Sequence, residues 1–406
     1  MHGADKAILY LSPYFWPEEI GSAPYCTALA RFLDAQGYDV RTIAFRPHYP
    51  SLDAFEEWAE GQRDTEMLGG IRIERVPVTA RGAAGFKARI RNDLRYLWHV
   101  VGGVIRGRYQ VDAIVAYVPS ILTLFAAKAV SMRSGARIVA VVHDIESGLA
   151  ASLGIAKSGA LIRLMRLAER WGLNFADDIV VLTQGMKDEL LGLGCQRPIS
   201  VISIWGNVVE EVPIDPQARP IMMYSGNFGK KQNFDQLLPL LDRLSQENVA
   251  VDVVMRGGGS ERDRIESEVA SRGISNVTFL PLAPAESFLQ SLQSANIHLV
   301  PQAWNVANYA LPSKLFSIMS AGRPFVCIAD PGSPLDRLTA DSGAGICVAS
   351  GDEDGAFQEV KVLLADPRRQ MEMGENGRRY VEQNMNRDEI LARYEALIQG
   401  PHSKSN

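Results

Sequence analysis

The strongest constraint on the fold is a pattern that runs twice. Short apolar runs alternate with longer amphipathic stretches on either side of a polar, proline-rich break. In the first half Ala7–Leu11, Val40–Phe45, Ile71–Val76, Ala113–Tyr117, Ile138–Val142 and Ile179–Leu182 read as buried strands, with Val201–Ile204 as a further candidate. The stretches between them are long enough for helices. One is expected from about Ala23 to Ala35, capped by Ser22, with Tyr25, Leu29, Phe32 and Leu33 on one face and Gly37 beyond its end. The break runs from Glu210 to Pro220 and holds three prolines. Beyond it the alternation resumes with Ile221–Tyr224, Val249–Met255, Val277–Leu280, Ile297–Val300, Phe325–Ile328 and Gly345–Val348. Strands alternating with helices imply βαβ units and parallel, doubly wound sheets. The expectation is an α/β chain of two Rossmann-like domains, residues 1–205 and 206–385, facing across a cleft. A last amphipathic helix, within 386–400, carries Ile390, Leu391, Tyr394 and Leu397 inward and packs back on the first domain.

Composition narrows the function. The 406 residues include 42 Lys and Arg against 47 Asp and Glu, a net charge of -5, which argues against a dedicated nucleic-acid binder. The four cysteines form no CxxC pair and no zinc spacing with the six histidines, so a reducing cytoplasm is expected. The first residues lack the basic and apolar regions of a signal peptide. The uncharged stretch Ala113–Ala127 is too short to span a bilayer.

In open α/β sheets ligands bind beyond the carboxyl ends of the strands, so chemistry is sought in the loops there. Tyr224-Ser-Gly-Asn-Phe-Gly-Lys-Lys-Gln232 follows the first strand of the second half. Gly226 and Gly229 permit close backbone approach, Lys230 and Lys231 add positive charge beside Asn227, and a helix from Phe234 would point its amino end there. Together they suit a diphosphate; a plain turn with solvated lysines fits as well. Arg256-Gly257-Gly258-Gly259-Ser260 offers a second close approach, or simply a flexible turn, with Ser260 able to cap the next helix. In Leu311-Pro312-Ser313-Lys314-Leu-Phe-Ser317, Pro312 suits a first helical turn. Lys314 and Ser317 share a face near the helix start, where a lysine reinforces anion binding.

The first half offers His143-Asp144-Ile-Glu146 after a strand. The imidazole can hydrogen-bond a sugar hydroxyl or help move a proton, with Asp144 orienting it; a structural histidine is the alternative. Between the first strand and its helix, Tyr14, Trp16 and Glu18 are candidates to contact an acceptor, and Gly21 stands where helix amides are free. The segment from Arg81 to Arg108 sets Arg81, Lys87, Arg89, Arg91, Arg95, Arg106 and Arg108 among Leu94, Leu97 and Trp98. That suits either an interfacial helix on anionic lipid or a packed helix with a solvated basic face.

These pieces carry a resemblance. LSPYFWPEEIGSAPY, RPHYP, VVHDIESGLA and IWGNVVE, then YSGNFGKKQNFDQLL, RGGGSE and ALPSKLFSIMSAGRP, together resemble a family-4 glycosyltransferase of the GT-B fold, in particular its colanic-acid and exopolysaccharide subgroup. The resemblance implies retaining transfer of a sugar from a nucleotide-diphosphate sugar to a hydroxyl, in polysaccharide biosynthesis, with no cofactor and no essential metal. It implies a glycan or lipid-linked acceptor, a cytoplasmic setting and contact with the inner face of the membrane. Gly21 then matches a loop near the donor phosphates and His143 a sugar-contacting position. Gly226 and Lys231 match the diphosphate loop, and Lys314 and Ser317 the nucleotide-facing helix. Many relatives carry two glutamates eight residues apart where this chain has Tyr309 and Ser317, and commonly an arginine where it has Asn227. The alternatives are a sugar-nucleotide epimerase of the same fold and a degenerate, non-catalytic binding module.

Overall fold

The computed structural model describes residues 6–19, 21–48, 55–78, 86–154, 158–206, 208–210, 212–214, 217–304, 306, 309 and 312–400. The chain divides into two compact units, Met1–Ser203 with Asp388–Asn406, and Ile204–Arg387.

In chain order the first unit holds β1 (Ala7–Leu11), α1 (Ala23–Ala35), β2 (Asp39–Phe45), α2 (Glu56–Ala59), β3 (Thr65–Leu68), β4 (Ile71–Val76), α3 (Phe86–Ile105), β5 (Ala113–Tyr117), α4 (Leu122–Ser134), β6 (Arg137–Val142), α5 (Glu146–Ser152), α6 (Gly159–Leu173), β7 (Asp178–Val181), α7 (Gln184–Gly192) and β8 (Ile199–Val201). Its sheet runs β3-β4-β2-β1-β5-β6-β7-β8 and is parallel except for the β3–β4 pair. Central strands covered on both faces must be apolar throughout, and every residue of β5 is buried. β3 escapes the apolar-run criterion because it is an edge strand, Thr-Glu-Met-Leu, with alternately exposed side chains.

The second unit holds β9 (Ile221–Ser225), α8 (Leu238–Gln246), β10 (Asp252–Arg256), α9 (Arg262–Ser271), β11 (Val277–Leu280), α10 (Phe288–Gln293), β12 (Ile297–Pro301), α11 (Lys314–Ser320), β13 (Phe325–Ala329), α12 (Pro334–Ser342), β14 (Gly345–Ala349), α13 (Glu353–Leu364) and α14 (Pro367–Asn384). Its sheet, β11-β10-β9-β12-β13-β14, is wholly parallel. The core gathers Tyr224, Phe228, Phe234, Leu241, Met255, Leu299 and Phe357. α15 (Arg387–Gln399) returns to the first unit, where the Tyr38 hydroxyl donates to Glu395 at 2.9 Å, Arg137 Nε donates to the Leu397 carbonyl at 3.1 Å and Arg393 to the Val201 carbonyl at 2.7 Å.

Several local expectations need correction. Ser22 precedes α1 but has helical dihedrals and makes no side-chain cap; Pro24 in the first turn starts the helix instead. The buried face of α1 is Cys26, Leu29, Ala30 and Leu33, with Tyr25 and Phe32 at its margins. Ser260 does not cap α9, where Glu261 holds that position without a side-chain bond. Side-chain caps occur at Thr183, Ser333, Asp352 and Asp366. The stretch from Phe234 is a 3-10 turn, and α8 proper starts at Leu238. Pro312 lies before the capping position of α11, which Ser313 occupies. The eighth strand is Ile199–Val201 rather than Val201–Ile204, and β10 starts at Asp252 rather than Val249. In the proline-rich break Glu211, Asp215 and Pro216 lie outside the described residues, as does Leu311 before α11.

Candidate functional site

In the second sheet the strand order reverses between β9 and β12, the usual place for a ligand in such a sheet. The loop after β9 carries Gly226, Asn227, Lys230 and Lys231; the loop after β10 carries Gly257 and Gly258. Backbone bonds interlock the two. Gly226 N–H donates to the Arg256 carbonyl at 3.0 Å, Phe228 N–H to the Gly258 carbonyl at 2.8 Å, and Glu261 N–H to the Phe228 carbonyl at 2.9 Å. Gly257 is required at this contact. Its φ is +138°, and a Cβ there would fall 1.8 Å from the Gly226 oxygen. The amide of Gly226 is thus committed to backbone, so Gly226 shapes the loop instead of donating to an anion. Arg262 braces the assembly from below, donating to the carbonyls of Gly257 and Leu280.

Lys314 opens α11 and lies across this loop. Its Nζ stands 3.6 Å from the centroid of the Tyr224 ring, a cation–π contact. The ammonium is buried and has no hydrogen-bond partner among the described residues. Burial pushes its pKa well below the usual lysine value. A Cβ on Gly226 would meet the Lys314 side chain at an ordinary 3.6–3.7 Å, so it is the φ of +142°, not space, that calls for glycine here. The Tyr224 hydroxyl donates to the Asn227 carbonyl at 2.6 Å. The Lys231 carbonyl accepts from Ala303 N–H at 2.7 Å, tying the loop after β9 to the loop after β12. Lys230, Asn227 and Gly258 are exposed; Lys231, Ser313 and Ser317 are half-buried. Gly226, Asn227, Lys230, Lys231, Gly257, Gly258, Pro312, Ser313, Lys314 and Ser317 therefore all belong to the carboxyl edge of one sheet or to the helix entering beside it.

In the first sheet the reversal lies between β1 and β5. His143 follows β6 and meets the ring of Tyr117, the last residue of β5, edge-on at 5.0 Å. Burial pushes its pKa down to about 4, against a smaller opposing pull from Asp144. At neutral pH the imidazole is uncharged. It can exchange hydrogen bonds with a hydroxyl but lacks the second proton that an imidazolium would give as an acid.

Near it is a charged cluster that sequence reasoning did not assemble. Arg89 ion-pairs with Glu146 and donates to the Pro119 carbonyl at 2.7 Å. Burial raises Glu146 to about 7 and Asp93 to about 6, each partly offset by Arg89. Arg89 is accordingly engaged by protein groups and does not belong to a lipid-facing row. Its signal in the sequence was Asp93, the one carboxylate in an otherwise basic segment. Arg81 and the side chain of Lys87 lie outside the described residues.

The aromatic loop after β1 is chiefly packed. Glu18 is buried, accepting from His48 N–H at 3.0 Å, which removes it as a free acceptor contact. Tyr14 stacks on His48 at 5.8 Å and Trp16 meets Trp58 edge-on at 6.0 Å. Fully buried Arg75 holds the loop from beneath, donating to the carbonyls of Trp16 and Phe45 and to Glu66. Gly21 is exposed with φ +67° and open space around it. Among the described residues no group of three or more His, Cys, Asp or Glu is placed to hold a metal ion, and no helix is long and apolar enough to cross a membrane.

Comparison with known proteins agrees with this layout. Residues 21–205 match the Glycosyl transferase 4-like domain and residues 210–380 match Glycosyl transferases group 1. WcaI of Escherichia coli K12, named for colanic acid biosynthesis, is 25% identical over 97% of this chain and 100% of its own. Among solved structures, sucrose-phosphate synthase of Thermosynechococcus elongatus superposes with a TM-score of 0.78 at 17% identity, covering 97% of this chain and 98% of that one. Anabaena HepE, solved with UDP-glucose, superposes at 0.70 with 13% identity over 98% of this chain and 100% of its own. Two Rossmann-like parallel-sheet units and two adjoining family matches lead to one assignment: the chain belongs to the family-4 glycosyltransferases of the GT-B fold, in the group that resembles the colanic-acid enzyme.

Proposed function

We propose that the carboxyl edge of the second sheet binds the nucleoside diphosphate of a nucleotide sugar. The sugar would pass, with retention of configuration and without a metal, to a hydroxyl of a glycan or lipid-linked acceptor handled by the first unit. The observation that carries this is the buried ammonium of Lys314, without a hydrogen-bond partner among the described residues, beside two interlocked glycine loops. As the glycosidic bond loosens, negative charge grows on the departing diphosphate, and preorganised cations and amides stabilise it most effectively. A phosphate oxygen approaching Lys314 would supply a partner and favour its charged form. Lys231, and Lys230 at the surface, add to the positive field of this loop. His143, neutral and half-buried, suits hydrogen bonding to a sugar hydroxyl, with Asp144 adjacent. HepE, a structural neighbour solved with UDP-glucose, makes uridine diphosphate donors the first to try.

The test is incubation with a panel of nucleotide sugars and a glycolipid extract, with and without a chelator. Expected is a product whose anomeric proton coupling by NMR matches the donor, formed equally in chelator. An inverted product, chelator-sensitive turnover, or epimerised donor without transfer would overturn the corresponding part.

A further inference from the structure

The first unit holds a cavity of about 300 Å³, lined among others by Arg41, Ile43, Arg72, Glu74, Arg108 and Tyr109. Arg41 pairs in register with Arg72, and Ile43 with Glu74, so all four share one face of the sheet. α3 covers that face. His99 bonds Glu74 at 2.8 Å, and the Tyr96 hydroxyl donates to the Ile43 carbonyl at 2.7 Å. Arg108 and Tyr109 follow the end of the same helix. Arg41 and Arg72 each stand four residues before the carboxyl end of their strands, about 13 Å short of that edge of the sheet. The cavity is therefore set apart from the loops that carry His143 and Tyr14.

Charge in the cavity does not balance. Asp39 accepts from Arg41 at 3.2 Å, and Glu74 from Arg108 at 3.3 Å. Arg72 has no ion pair among the described residues. The Nε of Arg41 and the hydroxyl of Tyr109 are buried without a hydrogen-bond partner among the described residues, the tyrosine at 5% exposure. A buried polar atom without a partner carries a desolvation cost that a bound molecule can remove. Gly103 of α3 fixes where the tyrosine lies, because a Cβ there would overlap the Tyr109 ring. Glycine is disfavoured inside a helix, and here it is the residue that admits the ring. A cation beyond a helix complements its carbonyl end, which accounts for Arg108 but not for Arg41 and Arg72 on their strands. Guanidinium forks match phosphate oxygens, while a carboxylate and a phenol match the hydroxyls of a polyol. The volume is at the lower end for small-molecule sites, with room for one phosphorylated monosaccharide and not for a nucleotide sugar.

We infer that this cavity binds a small sugar phosphate, with Arg41, Arg72 and Arg108 at the phosphate and Glu74 and Tyr109 at the sugar hydroxyls. This goes beyond the transferase reading and stands whether or not the second unit binds a nucleotide. Isothermal titration of glucose 1-phosphate and glucose 6-phosphate into the full chain tests it, with inorganic phosphate and glucose as controls. Saturable binding of at least one sugar phosphate is expected, tighter than inorganic phosphate, with none for glucose. Arg41→Gln combined with Arg72→Gln should weaken it about tenfold or more. Tyr109→Phe keeps the ring and should melt no lower than wild type. It should weaken the sugar phosphate about threefold and leave inorganic phosphate unchanged. Lys314→Ala, altered only in the second unit, should bind the sugar phosphate as wild type does. Absence of saturable binding, inorganic phosphate bound as tightly as the sugar phosphates, unchanged affinity in either cavity variant, or loss of binding in Lys314→Ala overturns the inference.

Discussion

The ammonium of Lys314 rests 3.6 Å above the ring of Tyr224, buried and without a hydrogen-bond partner among the described residues. The aromatic face stabilises it partly; a buried cation still wants an anion. The Tyr224 hydroxyl is bonded to the loop of Asn227, so the ring, the lysine and the glycine loop form one rigid unit.

Lys314→Met tests what that arrangement costs. A base whose pKa is lowered by folding destabilises the native state, because the unfolded chain binds a proton that the folded chain refuses. The cost is full below the folded pKa and shrinks as pH rises toward the ordinary lysine value of about 10.4. Without nucleotide, Lys314→Met should melt above wild type at pH 7, with the gap narrowing toward pH 10. Thermal melts across that range check it.

The interlocked loops separate two adjacent glycines. Gly257→Ala places a methyl against the Gly226 carbonyl at a positive φ and should cost about 3 kcal/mol. A Cβ on Gly258 meets nothing within 4 Å, so Gly258→Ala should stay within about 0.5 kcal/mol of wild type. Urea titration of both variants decides; equal costs would deny the interlock.

Arg75 bears on the first unit. Fully buried and bonded to Glu66 and to the carbonyls of Trp16 and Phe45, it leaves Glu66 without its cation, held by the Trp58 indole N–H, and takes a donor from both carbonyls when truncated. Arg75→Ala should cost about 4 kcal/mol in denaturant titration. Arg75→Lys should not rescue it, since an ammonium cannot reproduce the fork of donors.

His143 sets an acid-side signature. With its pKa down near 4, its contribution to stability is present above about 6.5 and is lost as pH falls toward 4. Between pH 7 and 4 wild type should lose at most about 3 kcal/mol more than His143→Asn. Glu146 and Asp93, raised to about 7 and 6, act with the opposite sign, so the variant must be compared with wild type at each pH. No difference between the two profiles would mean that the imidazole is solvated.

The architecture was legible because strands covered on both faces must be continuously apolar. Ala113–Tyr117, Ile71–Val76 and Val277–Leu280 are found where their runs stand. β3 was not legible, since an edge strand need not be apolar. The glycine loops and Lys314 were legible as candidates, but their division of labour was not. That Gly226 donates to backbone depends on a carbonyl thirty residues away. The inward turn of Glu18 depends on His48, and the pairing of Arg89 with Glu146 on two helices distant in sequence. Short spacing rules do not see such partners.

The central claim is that the loops beside Lys314 hold a diphosphate. Isothermal titration of UDP and GDP into wild type, Lys231→Ala and Lys314→Ala measures it directly. Binding of at least one nucleotide to wild type, weakened about tenfold or more in each variant, is the predicted result. Equal affinity in all three proteins would contradict it.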